Sequence, residues 1–329
     1  MTNMKKLGLS ALAGSLVAFS ANAAELSVSG GVELTWVDTG GNKGNEVTGS
    51  SYGANSSVTL AGSGDVGFGE VSMTRTLNDT NGGWGSSFQT LDMGDMGVLS
   101  FDSTGGALVG IKANDDLMPT AYEEAWTGVS SSGISGVGST NVIGYRNTFG
   151  MFSVSAGYSQ GGTATAESGS SGEASHGSIT DIYVSVSPID GLTIGAGHAE
   201  NTGADTSTTS EDTQHVVAQA VYSTGPVSFG YRRAIQDKGT AGAASRDIEG
   251  MSIAFNVNDN FAISYGVQDT TVEAISATTT DVTEEVSGIS AAYTSGAMSV
   301  RMNHSKADND NGSSGVDDET TEISLVLSF

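Results

Sequence analysis

Apolar and polar residues alternate along most of the chain with a period of two. The clearest run lies near the N-terminus, where Leu26, Val28, Val32, Leu34 and Trp36 alternate with small or polar residues. Successive side chains of a β-strand point to opposite faces, so this pattern predicts a strand with one apolar face. A strand of about eleven residues is long enough to cross a bilayer at a tilt.

Similar strands recur as far as the C-terminus, joined alternately by tight turns and by longer polar loops. This rhythm predicts an all-β protein, an antiparallel transmembrane β-barrel of about 16 strands, with short periplasmic turns and long extracellular loops. A soluble β-sandwich also alternates, but it does not need strands of about ten residues throughout. The tight turns fall at residues 62–65, 94–97, 149–150, 188–191, 224–226, 258–260 and 295–296.

One long segment, residues 102–138, interrupts the alternation. A structureless loop of this length in a compact domain is usually functional. The segment is also rich in carboxylates, so we predict that it folds into the barrel and forms an acidic constriction. Its acids are Asp102 at the entrance, followed by Asp115, Asp116, Glu123 and Glu124.

Residues 1–23 have the three parts of a secretory signal peptide. Lys5 and Lys6 form a basic region, residues 7–19 are apolar, and the segment ends on a small-x-small cleavage site at Ala23. The apolar part is too short for a transmembrane helix. We therefore expect an exported protein whose mature chain, residues 24–329, is a single barrel.

The composition excludes several classes of protein. The formal net charge is −25, although only 15% of the residues are charged, and there is no cysteine. A chain this acidic lacks the basic face that nucleic acid requires. The absence of cysteine removes disulfides and thiol chemistry. No stretch after residue 23 reaches 18 apolar residues, which is the minimum for a membrane-spanning helix.

Local matches to enzyme motifs are weak, and we predict no catalytic residues and no enzymatic activity. Residues 157–161 fit G-x-S-x-G, but no helix is predicted after them, as a nucleophile elbow requires. Residues 62–67 fit G-x-G-x-x-G, but they lead into a strand and not into a helix. The four histidines have no metal-ligand spacing; they are His176, His198, His215 and His304.

Several stretches resemble those of the Gram-negative general porins, most closely the alphaproteobacterial type. They are the opening A-E-L-S-V-S-G-G-V-E-L-T-W, the long segment after G-D-M-G-V-L-S-F, and the ending L-V-L-S-F. The resemblance covers essentially the whole mature chain. It implies a homotrimer of 16-stranded barrels in the outer membrane, in contact with lipid and lipopolysaccharide. It also implies that the third extracellular loop narrows the pore, and that Phe329 belongs to the signal read by the barrel-assembly machinery.

In that family, inward-facing basic residues of the wall oppose the acids of the third loop. Parity along the strands turns Arg146, Arg232 and Arg301 toward the lumen, where water tolerates charge; a charge facing mid-bilayer lipid costs about 2–4 kcal/mol. Arg75 shares a face with apolar residues, so parity leaves its direction open. Because acids far outnumber these cations, we predict a pore that prefers cations.

The resulting hypothesis is a passive diffusion channel for small hydrophilic solutes and ions. A surface-structural or adhesive outer-membrane barrel with a plugged lumen is the first alternative, and a soluble exported β-protein is the second. No cofactor is expected, apart from weak calcium binding by acidic loops. Residues 308–312 resemble part of a calcium loop, but the glycine comes one residue early for an EF-hand. The residues that would bind this calcium are Asp308, Asp310 and Glu319.

Overall fold

Sixteen strands among the described residues form a closed antiparallel barrel in the computed structural model. Each strand pairs with its neighbours in sequence, and the first strand closes the ring with the last. The predicted all-β barrel of about 16 strands is confirmed. The strands are β1 Glu25–Gly41, β2 Gly49–Asp65, β3 Glu70–Asn78, β4 Trp84–Asp92, β5 Val98–Thr104, β6 Val142–Phe149, β7 Phe152–Ser159, β8 Ile179–Ile189, β9 Leu192–Asn201, β10 Thr213–Thr224, β11 Val227–Lys238, β12 Arg246–Asn258, β13 Phe261–Val272, β14 Val282–Ser295, β15 Met298–Asp308 and β16 Asp318–Ser328.

The structure describes most of the mature chain. The predicted signal peptide, residues 1–23, lies outside the described residues, and so do Asp115 and Asp116. No helix in the described part is both long and apolar enough to cross a membrane. The described residues are 25–43, 49–79, 84–104, 109–111, 113–114, 118–134, 136–137, 140–160, 177–202, 212–238, 243–275 and 279–329.

The barrel is apolar outside and polar inside. Large apolar side chains on the outer face are exposed, among them Val28 at 60% and Ile182 at 47%. Polar side chains of the other parity are buried inside, including Gln268 and Ser324 at 0%. This distribution reverses that of a soluble protein, and it is the one that suits a barrel surrounded by lipid with a wet interior.

The seam between β1 and β16 is closed by the last residue of the chain. The N–H of Phe329 donates to the carbonyl oxygen of Gly30 at 2.9 Å, and the N–H of Gly30 donates back to Phe329 O at 3.0 Å. A Cβ at Gly30 would lie 2.5 Å from Ser57 O and 2.8 Å from the Phe329 ring, so the close approach requires glycine.

The connections at the two ends of the barrel differ in length. Residues 190–191, 225–226, 259–260 and 296–297 are two-residue turns at one end, while the connections at the other end are longer. Several strands also run further toward the long-loop end than alternation predicted. For example, β1 has 17 residues, because the hydrogen-bonded ladder continues past the apolar band.

Candidate pore constriction

The chain between β5 and β6 runs along the inside of the barrel. Near its start, the N–H of Gly110 donates to Ser155 Oγ on β7 at 2.8 Å. Further along, Thr320 Oγ1 on β16 donates to the carbonyl oxygen of Gly128 at 3.2 Å. The described parts of this inner segment (residues 102–138) therefore lie against the wall from β7 to β16, and the lumen remains open on the side of β1–β5.

The inner segment packs on this wall through three apolar clusters. Ile111 and Ile134 pack on side chains of β8 to β12, Ala125 and Val129 on β14 and β15, and Val109 on β6. Glycines in the wall allow close approach, because a Cβ at Gly197 would lie 2.1 Å from Ile111 Cγ2. The wall strands are thus apolar or small where the segment covers them and polar elsewhere.

Both ends of the inner segment meet one buried carboxylate on β8. Asp181 Oδ1 accepts from the N–H of Ile111 at 2.7 Å, and its Oδ2 accepts from the N–H of Val137 at 3.1 Å. Asp181 is only 4% exposed. Sequence reasoning missed this residue, although its alternation with Ile182 and Val184 gives it an inward parity.

The predicted wall arginines all lie on inward-facing positions, but two of them are covered by the inner segment. Arg232 is 0% exposed, and its guanidinium lies 4.5 Å from the centroid of the Trp126 ring. The Arg301 guanidinium lies 5.2 Å from the Tyr122 ring. These contacts differ from the arrangement that the family resemblance implies, in which wall cations face the loop acids across the pore.

Arg232 is held by neutral acceptors as well as by the indole. Its Nη2 donates to Gln268 Oε1 at 2.5 Å and to the carbonyl oxygen of Ser132 at 3.3 Å. The amide of Gln268 also donates, through Nε2, to the carbonyl oxygen of Ser131 at 2.9 Å. Because these acceptors belong to the inner segment or to its supporting wall, Arg232 anchors the segment.

The described acids of the inner segment occupy two environments. Glu123 and Glu124 are half-buried, and the Thr127 hydroxyl lies 3.2 Å from Oε2 of the first and 3.4 Å from Oε2 of the second. Asp102, in contrast, is 1% exposed on β5 and does not border open lumen. The structure therefore groups the two glutamates and separates them from Asp102.

Two further acids, both missed by sequence reasoning, hold the inner segment on β14 and β16. The Tyr122 hydroxyl donates to Glu322 Oε1 at 2.7 Å. Burial and then this hydrogen bond raise the pKa of the Tyr122 hydroxyl, so it stays protonated as a donor. Glu284 Oε2 accepts from the hydroxyl of Ser130 at 2.9 Å. Their inward parity was readable from the sequence, but their partners depend on the path of the segment.

A family model for the Gram-negative porins matches residues 8–326 of the chain. The chain belongs to the Gram-negative porin family. It is therefore an outer-membrane transmembrane β-barrel with the function of a channel, and the predicted family is confirmed. No curated protein is similar enough in sequence to this chain to count as a match.

Solved porins share the fold of this porin at low sequence identity. An anion-selective porin from Comamonas acidovorans is 16% identical with a TM-score of 0.67, covering 93% of this chain and 100% of its own. OmpF of Salmonella typhi, in complex with daunomycin, is 12% identical with a TM-score of 0.66, at 94% and 98% coverage. OmpT of Vibrio cholerae, in its trimer form, is 14% identical with a TM-score of 0.64, at 94% and 100% coverage.

The open wall of this porin, β1–β5, carries hydroxyl groups in place of cations. The hydroxyls of Thr59 and Thr76 lie 2.8 Å apart, and those of Ser72 and Thr90 lie 2.6 Å apart. No lysine or arginine occupies a lumen-facing position of these strands among the described residues. The charged residues at those positions are Glu25, Glu33, Asp65, Glu70, Asp92 and Asp102.

Arg146 is the predicted wall arginine that stays exposed. It borders a cavity of about 630 Å³ on the short-turn side of the inner segment, which Asp92, Asn114 and Tyr183 also line. The polar lining and the size of the cavity are those of a water-filled vestibule below the constriction.

The three acids of the calcium prediction do not converge in this porin. Asp308 Oδ1 pairs with Lys306 at 2.6 Å, Asp310 Oδ2 pairs with Lys43 at 3.3 Å, and Glu319 lies 4.0 Å from His304 Nε2. Among the described residues, no group of three or more metal-ligating side chains is arranged to hold an ion. Calcium binding stays a prediction.

Proposed function

We propose that this porin is a passive channel for small hydrophilic solutes and ions, and that it prefers cations. The observation that carries the preference is the charge along the passage. Glu123 and Glu124 project from the inner segment, and the facing wall of β1–β5 presents hydroxyls and carboxylates. Rings of acidic side chains select cations, and a passage lined by one sign of charge concentrates the opposite ion.

The covered arginines support the same proposal. The guanidinium of Arg232 is fully buried, so it contributes little to the field in the water-filled passage. Arg301 is partly covered by Tyr122, which leaves Arg146 as the exposed arginine of the three. The described passage therefore has fewer effective cations than its composition suggests.

The remaining parts of the proposal concern biogenesis and assembly. We infer that residues 1–23 direct export and that Phe329, at the closing seam, is part of the signal for barrel assembly. A trimer form of a similar fold, OmpT of Vibrio cholerae, supports a homotrimer surrounded by lipid and lipopolysaccharide. The lining of the passage supports solute transport without a chemical reaction.

Planar-bilayer recording tests the proposal. In a potassium chloride gradient, we expect stepwise conductance and a reversal potential that indicates cation preference. Replacing Asp115, Asp116, Glu123 and Glu124 by their amides removes four carboxylates, so the reversal potential should shift toward zero. Anion preference of the unmodified porin would contradict the proposal, and absence of conductance would favour the adhesive, plugged barrel.

A further inference from the structure

The inner segment enters and leaves the lumen at the same side chain. Asp181 accepts the N–H of Ile111 at 2.7 Å from the first limb and the N–H of Val137 at 3.1 Å from the second. Each carboxylate oxygen serves one limb. The hydrogen bonds described along the rest of the segment each hold it at one point, whereas Asp181 holds both limbs together.

Both limbs are shaped to fit this carboxylate. A Cβ at Gly110 would lie 2.1 Å from Asp181 Cγ, and a Cβ at Gly136 would lie 2.0 Å from Asp181 Oδ2. Gly110 also has a φ of +69°, which other residues rarely adopt. Glycine on each side therefore allows the backbone to approach a side chain that is itself 4% exposed.

The chemistry of the contact makes it hard to replace by water. Hydrogen bonds from backbone N–H groups to a carboxylate are charge-assisted and stronger than neutral ones. The neighbouring side chains of Ile111, Val109 and Val137 are buried, so N–H groups released at this point lack a solvent partner. Loss of the carboxylate leaves two buried donors unpaired, which favours movement of both limbs away from the wall.

We propose that Asp181 is a positioning residue for the pore: it closes the neck of the inner segment on β8 and thereby fixes the width of the passage. The inference rests on the proposed function, because it needs the segment to be the constriction. Asp181 contacts the two limbs and acts on permeating solutes only through the position of the segment.

Single-channel recording of Asp181→Ala tests the inference. We expect a severalfold rise in open-channel current variance and frequent sub-conductance steps, because the segment fluctuates between positions. Asp181→Asn should give an intermediate rise, since the amide oxygen still accepts one N–H while the NH₂ group cannot accept the other. Glu33→Gln is the matched control, because it neutralises an inward carboxylate on β1, outside the wall that the segment covers.

A disulfide separates positioning from a general loss of stability. The chain has no cysteine, so Gly136→Cys with Asp181→Cys adds a single pair. The ideal Cβ at 136 lies 3.0 Å from Asp181 Cγ, which brings two cysteine Cβ atoms near the separation of about 3.5–4.5 Å that a disulfide needs. The oxidised variant should show the current variance of the unmodified porin, and reduction in the bilayer should raise it to that of Asp181→Ala.

The outcomes are distinct. If Asp181→Ala conducts with unchanged variance and selectivity, the inference is wrong and the channel proposal stands. If the unmodified porin does not conduct, the channel proposal itself is wrong. If Asp181→Ala does not fold, the double-cysteine variant, folded oxidised and reduced afterwards, decides: unchanged variance on reduction contradicts the inference.

Discussion

Arg232 shows how a charged residue is used for structure inside a wet barrel. Its guanidinium is excluded from water and lies between the Trp126 ring and the oxygen atoms of Gln268 and Ser132. A cation over an indole is stabilised by about 0.5–2 kcal/mol, with the larger value where water is excluded. The residue therefore fixes the inner segment instead of presenting its charge to a solute.

Replacing Arg232 with methionine should lower the free energy of unfolding by about 1–3 kcal/mol, because buried acceptors lose their donor. Urea unfolding in lipid vesicles, followed by tryptophan fluorescence, measures this change. Arg146→Met is the matched control: it removes an exposed arginine, so stability should hold while conductance changes. Equal stability losses in the two variants would contradict the anchoring role of Arg232.

Tyr122 gives a prediction about alkaline pH. Its pKa is raised above the ordinary value of 10.0 by burial and by the hydrogen bond to Glu322. A raised pKa means that this contact stabilises the folded protein fully below pH 10 and that the contribution is lost as pH rises through the higher, folded-state pKa. Tyr122→Phe should therefore lose less stability than the unmodified porin between neutral pH and strongly alkaline pH. Urea unfolding at the two pH values checks this, and identical pH dependence would contradict it.

Some of these residue-scale features could be read from the sequence and others could not. Parity alone turned Arg146, Arg232 and Arg301 inward, because a strand alternates strictly. It could not show that Trp126 covers Arg232, since that contact joins residues far apart in the chain. Asp181 had the same inward parity, but its role follows from the backbone path of the inner segment, for which the sequence has no periodic signal.

Strands were predicted well at their apolar centres and poorly at their ends. The apolar positions of β1 end at Trp36, yet its ladder continues to Gly41, where Thr39 and Gly40 pair with Thr320 and Glu319. Polar residues in this region have no lipid to face, so alternation disappears while the hydrogen bonds remain. The extended strands carry the long connections, and these contact one another across the seam.

Lys43 joins two such connections, one after β1 and one before β16. Its Nζ lies 3.0 Å from Asp318 Oδ2 and 3.3 Å from Asp310 Oδ2. Burial lowers the pKa of Lys43, but the hydrogen bonds to Asp318 and then Asp310 outweigh it, and the pKa is raised overall. The ammonium group therefore remains charged above the ordinary lysine pKa of 10.5.

Lys43→Met should destabilise the barrel by about 1 kcal/mol, because two mostly buried carboxylates lose their cation while part of the lysine is already solvated. Thermal unfolding followed by heat-modifiable gel mobility measures the loss. Lys306→Met is the control, since its pair with Asp308 is exposed and such pairs contribute little. A larger effect of the control would contradict the prediction.

At the scale of the whole molecule, Arg75 indicates which outer face is covered by protein. It lies between Met73 and Leu77 on the outer face of β3, and its Nη1 donates to the carbonyl oxygens of Thr74 at 2.9 Å and Phe88 at 3.2 Å. A cation facing lipid at this depth costs about 2–4 kcal/mol. In the proposed trimer, we expect this face to lie against the neighbouring subunit.

Arg75→Gln should therefore lower the temperature at which trimers dissociate in detergent, because it removes donors from the subunit contact. Arg233→Gln is the matched control: Arg233 also points outward, but it pairs with Asp247 of its own barrel at 2.7 Å. Semi-native gel electrophoresis over a temperature series measures dissociation. Unchanged dissociation of the first variant, or an equal change in both, would contradict this assignment of the subunit face.

The seam at Gly30 and Phe329 has a consequence for biogenesis. Because the first and last strands are neighbours, every nascent or truncated chain exposes two unpaired sheet edges, and such edges recruit other chains. The ring can be sealed only after translation has finished and the final aromatic residue has been exported. The newly secreted polypeptide must therefore be kept from aggregating throughout its transit of the periplasm, and closure can be only the concluding event of its insertion.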